Sequence, residues 1–549
     1  MKNSADPLRT PTRRNLLKSG LFAGAAAALT STHASASSST SAAPSVPAFE
    51  FEEMGAAELQ SKMQSGELTA RALTEAYLAR IEAIDQAGPA LRAVIQTNPD
   101  ALKIAEDLDR ERKERGPRGP LHGLPVLIKD NIATADHMET TAGSLALVGS
   151  KPPKDSYVAK KLREAGAIIL GKTNCSEWAN IRSGHSTSGW SGRGGQTRNP
   201  YALDRNPCGS SSGSGSGISA NLSALSIGTE TNGSIVCPSS INGVVGIKPT
   251  VGLWSRAGII PISHSQDTAG PMCRTVRDAA LLLGAVTGVD SDDKYTAESA
   301  GKSYTDYTKF LDPNGARGMR IGVARSFFGF SEKVDPVIEE QLDVLKKLGA
   351  TIVDPADIAT RREMGKHELL VLLYELKADL NAYLAGLGAN TPVHTLQEII
   401  EFNERNREKE MPYFGQDTFL AAQKKGPLTD KEYIDGLAAN HRFSRTEGID
   451  ATMDKYKLDA IVAPTAPPAW PTDLINGDAD SGGSSGPAAI AGYPNITVPA
   501  GFIFGMPIGI SFFGRAWSEP TLIKIAYAYE QATHHRKPPK FLPTADLSI

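Results

Sequence analysis

Apolar residues recur along this chain with two spacings, one helical and one extended. Leu73, Tyr77, Ile81 and Ile84 repeat at helical intervals, which predicts an amphipathic helix over 69–86. A second, densely charged helix is expected over 101–115. Residues 124–128 are apolar and mostly β-prone, then break at Lys129-Asp130-Asn131, which reads as a buried strand entering a polar loop. Residues 157–165 read as a helix stopped by Gly166, and 167–170 as a short buried strand. This alternation of helix, glycine and strand predicts an α/β fold. An apolar helix is expected over 276–286 and a last helix over 521–531. Three further strands are expected over 460–463, 495–499 and 508–513. The stretch 300–450 is mostly charged helical segments, such as 369–384, flanking one strand candidate at 320–324. The Gly/Ser/Asp-rich loop 476–486 is expected to be exposed and mobile. No linker divides 49–549, so that span reads as one large domain with 300–450 as a helical elaboration.

The first residues change the picture, because they read as an address. Arg13 and Arg14 precede Leu16-Leu17-Lys18, a weakly apolar alanine-rich run and then Ala34-Ser35-Ala36, with small residues where a signal peptidase cuts. This resembles a twin-arginine export signal over 1–36, followed by a Ser/Ala/Pro-rich linker over 37–48. The apolar run falls short of the roughly 20 residues that span a bilayer. The expected location is therefore the periplasm or the exterior, with the export machinery as a transient partner and no membrane association after cleavage.

Composition excludes more than it selects. Hydrophobic residues make up 40%, charged residues 22%, and the net charge is −3, so nothing suggests nucleic acid as a partner. The four cysteines, Cys175, Cys208, Cys237 and Cys273, lack metal-ligand spacing and read as small buried thiols, with a disulfide left open by export. The ten histidines are scattered without metal spacing. No residue set calls for a metal or a cofactor.

The chemistry concentrates in 206–250. Residues 209–217 are all glycine or serine, and buried-type residues follow directly at 218–227. A flexible linker would not continue into a core segment, and a phosphate loop would end in Gly-Lys-Ser/Thr. The run therefore reads as a backbone-dense active-site loop, where glycine permits close approach and serine supplies hydroxyls. A Ser-His-Asp triad would need a strand-borne Gly-x-Ser-x-Gly elbow, and this run matches that pattern only trivially.

Gly209-Ser210-Ser211-Ser212-Gly213, Gly228 through Ile235, Gly243 through Thr250, Gly123 through Asp130 and Gln266 through Met272 together resemble the amidase signature family over roughly residues 50–540. The resemblance implies a mixed central sheet flanked by helices on both faces, and a Ser-Ser-Lys triad. By that likeness Ser234 is the nucleophile and Lys129 the base. Ser210, 24 positions before Ser234, is the bridging serine beside a non-proline cis peptide. The backbone amides of Thr231, Asn232, Gly233 and Ser234 form the oxyanion hole. Asn232 and Glu230 depart from the family's usual glycine and aspartate, and Asn232 would be strained if its place required positive φ. A lysine can take a hydroxyl proton only when burial depresses its charged form, and the apolar 126–128 segment would provide that. Asn206 through Ser212, Leu372 through Lys377, Phe414-Gly415-Gln416 and Ala516 through Gln531 look most like the peptide-amidase branch, whose substrates are C-terminally amidated peptides. The alternatives are a general aliphatic or aryl amidase, the transferase component of a tRNA-dependent amidotransferase, which export disfavours, and a non-catalytic peptide-binding protein on the same scaffold.

Overall fold

A computed structural model describes residues 44 and 46–548 except 390, 480 and 481. The expected export signal, and the linker up to residue 43 together with residue 45, lie outside the described residues. Everything described belongs to one compact unit.

The strands are β1 (Val94–Thr97), β2 (Pro125–Lys129), β3 (Ile168–Thr173), β4 (Trp190–Ser191), β5 (Gly195–Gln196), β6 (Leu225–Glu230), β7 (Val245–Lys248), β8 (Thr268–Cys273), β9 (Arg320–Val323), β10 (Thr351–Val353), β11 (Ala460–Pro464), β12 (Asn495–Ile503) and β13 (Met506–Phe513). β4 and β5 form a separate hairpin. The others build one eleven-stranded sheet in the order β1-β3-β2-β6-β8-β7-β12-β13-β11-β9-β10. The sheet is mixed: β3, β2 and β6 run parallel, as do β11, β9 and β10, while antiparallel pairs join the centre. Strands β2, β3, β6, β7, β8, β11 and β13 are buried along their whole length, as expected where both faces are covered.

The predicted helices form. Thr69 caps the first by accepting from Ala72 N at 3.0 Å, and helices Ala101–Arg115, Val276–Val286 and Glu368–Ala385 match the expected spans closely. In 300–450 the expected strand forms as β9 and helices such as Val334–Lys347 form beside it, while β10 is an addition that the sequence reading did not include. Those strands close one edge of the sheet, so only the later part is a helical addition. Its charge pattern hid β10, which has just three residues.

The Gly/Ser run is also corrected. It is a loop only at its start, and from Ser212 to Ser219 it is a helix with every residue buried. Glycine sits there for space: a Cβ on Gly213 would lie 2.5 Å from Asn174 N and closer still to the Ala93 carbonyl oxygen. Gly213→Ala should therefore destabilise the protein by about 2 kcal/mol or more through overpacking. Chemical denaturation checks this, and an unchanged midpoint would mean that the helix can shift at no cost.

Candidate functional site

Parallel pairing of β2 with β6 sets Ile128 opposite Ile227, so Lys129 ends its strand beside Gly228 and Thr229. Both residues lie at the carboxyl ends of parallel strands, where open α/β sheets place ligands. Lys129 is fully buried. Its Nζ donates to Ser210 Oγ at 2.7 Å, to Thr229 Oγ1 at 2.9 Å and to the Thr229 carbonyl at 3.2 Å. These three partners are neutral oxygens. Burial therefore pushes the amine below the ordinary lysine range, and the fields of Cys175, Asp267 and Glu230 oppose that only in part.

Ser210 follows a cis peptide bond from Gly209. The next residue, Ser211, donates its amide to the Ser234 carbonyl at 3.2 Å and its hydroxyl to the Thr229 carbonyl at 2.9 Å. The two serine loops are thus joined directly. A disulfide between Cys208 and Cys237 joins them again across 29 positions. This corrects the expectation of four buried thiols, although Cys175 and Cys273 are free and buried as expected.

The loop 231–234 is held by side chains on both flanks. Glu230 Oε2 accepts from Ile235 N at 2.8 Å and Val236 N at 3.0 Å, so the longer acid still anchors the turn. Thr231 Oγ1 donates to Asp267 Oδ1 at 2.6 Å. The other oxygen of Asp267 accepts from Ile262 N at 2.7 Å and Ser263 N at 2.8 Å. Burial pushes the Asp267 carboxyl up to about 6. Asn232 donates to Glu368 Oε1 at 2.7 Å and accepts from Ser485 Oγ at 2.7 Å. Positive φ falls on Gly233, at 84°, and not on Asn232, so the asparagine is accommodated without strain. Among the described residues, the amides of 231–234 make no backbone hydrogen bond.

Ser234, Asn232, Gly233 and Gly209 line a cleft of about 280 Å³, together with Leu372 and Trp470. Asp478, Gly483 and Ser485 of the 476–486 segment also line this cleft. Asp478 accepts from Ser188 N at 3.0 Å and Trp470 Nε1 at 3.2 Å, and Ser485 reaches Asn232.

Thr229, Asn131 and Asp267 are the site residues that sequence reasoning did not assign. Asn131 lies two positions after Lys129, and both reach Thr229 Oγ1, the asparagine at 3.0 Å. Asn131 lies in the turn just past β2, where strand alternation no longer applies, so its spacing gave no signal. Asp267→Asn leaves one acceptor oxygen for three donors. We expect about a tenfold fall in kcat, roughly 1.4 kcal/mol, with KM little changed in steady-state assays. A wild-type kcat would mean that Thr231 needs no anchor.

The Amidase family profile matches residues 72–523. A probable amidase of Arabidopsis thaliana is 44% identical over 504 residues, covering 90% of this chain and 93% of that protein. An amidase family protein of Bacillus anthracis superposes with a TM-score of 0.82 at 37% identity, covering 89% of this chain and 93% of the other. The native peptide amidase of Stenotrophomonas maltophilia superposes with a TM-score of 0.86 at 50% identity, covering 90% of this chain and all of the other. Fold and sequence together make this chain an amide-hydrolysing enzyme. It belongs to the amidase signature family.

Proposed function

We propose that the enzyme hydrolyses the C-terminal carboxamide of peptides to acid and ammonia through Ser234, Ser210 and Lys129. The observation that carries this reading is the buried Lys129 amine, 2.7 Å from Ser210 Oγ and surrounded by neutral oxygens. A neutral amine can accept a proton that a solvated lysine cannot. In the first half, Ser234 Oγ attacks the carboxamide carbon and its proton passes by way of Ser210 to Lys129. The amides of 231–234 receive the oxyanion, each such donor being worth about 2.7–4 kcal/mol in known cases. The C–N bond breaks and the same relay returns a proton to the leaving nitrogen. Water then cleaves the acyl-enzyme.

The preference for peptides is supported by the likeness to peptide amidases, about half identical over the whole of those chains. A panel of amidated peptides, simple aliphatic and aryl amides and esters, scored by mass spectrometry for loss of the amide nitrogen, tests it. Fast turnover of simple amides with inert peptide amides would move the enzyme to the general amidases.

Export to an oxidising compartment is part of the proposal. The Cys208–Cys237 disulfide supports it, because such bonds persist outside the cytosol. Changing Arg13 and Arg14 to lysine should retain uncut protein in the cytosol. Cleavage and export unaffected by that change would refute the twin-arginine reading.

A further inference from the structure

A cavity of about 210 Å³ shares no lining residue with the cleft that holds Ser234. Three aromatic side chains, Tyr295, Tyr493 and Trp517, line it together with His441 and Arg445. The last two come from one helical segment, four positions apart. That segment begins as helix Lys431–His441 and widens into a π-helical turn over Arg442–Ile449, a rare form that recurs at functional sites. The Arg445 Nε donates to the Ala491 carbonyl at 2.8 Å, which fixes the guanidinium at the cavity wall. Among the described residues no carboxylate pairs with it. Asp450, whose field reaches Arg445, is instead paired with Arg515 at 3.7 Å and accepts from the Tyr493 hydroxyl at 3.0 Å. His441 Nε2 is buried and has no hydrogen-bond partner among the described residues. Burial and the Arg445 charge push this imidazole down to about 4, so it is neutral. The backbone adds a further observation. Trp517 has a φ of 68°, a region that bulky residues rarely enter, and its amide is held by Thr250 Oγ1 at 2.9 Å. Backbone departures of this kind cluster at ligand clamps.

We propose that this cavity binds a small carboxylate carrying one planar apolar ring, at a site separate from the substrate cleft. The guanidinium fork offers parallel N–H donors that match the two oxygens of a carboxylate. His441, as the Nε2–H tautomer, donates to the same group and so gains the partner that its buried nitrogen lacks. The ring of the ligand packs against the aromatic walls by offset or edge contacts. One negative charge balances the single arginine. A phosphate dianion would bring a second charge that Arg445 does not neutralise, and the exposed Glu298 at the cavity would repel it. The inference is independent of the proposed serine chemistry.

The test titrates benzoate, and benzyl alcohol as its neutral counterpart, into the parent enzyme, Arg445→Met and Arg445→Lys by calorimetry. Chemical denaturation of each variant reports on folding. Benzoate should bind the parent saturably, at least tenfold more weakly in Arg445→Met and with a smaller loss in Arg445→Lys. Benzyl alcohol should bind the parent at least tenfold more weakly than benzoate. The ring nitrogen signal of His441, identified by its disappearance in His441→Phe, should move when benzoate is added to the parent. If Arg445→Met fails to fold, Arg445→Lys and the His441 signal decide the matter. Absent or unsaturable benzoate binding overturns the proposal, as does equal binding in the folded arginine variants or a His441 signal that stays fixed. Equal affinity for benzyl alcohol would reduce the cavity to an apolar hole. Displacement of benzoate by an equal concentration of inorganic phosphate would make it a general anion site, and either result overturns the assignment.

Discussion

Ser234→Ala should lower kcat on an amidated peptide by about five orders of magnitude, while the protein stays folded and still binds substrate. Loss of a serine nucleophile removes the covalent route entirely, and in a well-studied serine hydrolase that loss costs about a millionfold. The fold should tolerate the change. Ser234 lines the cleft, and its backbone carbonyl, which alanine retains, supplies the bond to Ser211 N. Ammonia release checks the rate, and equilibrium binding of an amidated peptide checks the site. Activity within tenfold of wild type would assign the nucleophile elsewhere.

Lys129→Met should cost about three orders of magnitude in kcat/KM, in line with loss of a positioned base. The pH dependence carries more information. Burial holds the folded amine below its ordinary value of 10.5. Activity in the wild type should therefore rise as pH increases through the lowered value and then level off, because the neutral amine is the working form. The residual activity of Lys129→Met should lack that rise. Stability moves in the same direction. Between the lowered folded value and 10.5 the unfolded chain holds a proton that the folded chain does not, so stability increases with pH across that window. Lys172 and Lys248, both pushed down to about 8 by burial, add slopes of the same sign. The activity profile is for that reason the cleaner readout. A methionine variant that keeps the wild-type profile would exclude Lys129 as the base.

Much of the site was legible because its elements are locally consistent. The apolar run 125–128 fixes a buried strand, and the strand delivers Lys129 to its carboxyl end. The Gly/Ser run stood out by composition, whereas Ser234 and the turn glycine at 233 were assigned by the likeness to the amidase signature family. Other elements ran against local rules. β8 is central to the sheet yet contains Pro271, which pairs opposite Ile227 and which sequence rules assign to edges. The loop 476–486 has the composition of a free surface segment, yet Asp478 accepts from Ser188 N and Trp470 Nε1, and Ser485 reaches Asn232. Cys208 and Cys237 are separated by a helix, a strand and a turn, so only the folded chain reveals their closeness. Thr229 was quoted within a motif, but its two contacts with Lys129 depend on the register between β2 and β6.

The coupling of Lys129 to the attacking oxygen is the claim on which the proposed chemistry depends, and adduct mapping tests it most directly. The wild-type enzyme, Ser210→Ala and Lys129→Met are each treated with a fluorophosphonate and mapped by peptide mass spectrometry. The account predicts one adduct, on Ser234, in the wild type, and little or none in either variant under the same exposure. An adduct on another serine, or full labelling of Ser234 in Lys129→Met, would contradict it.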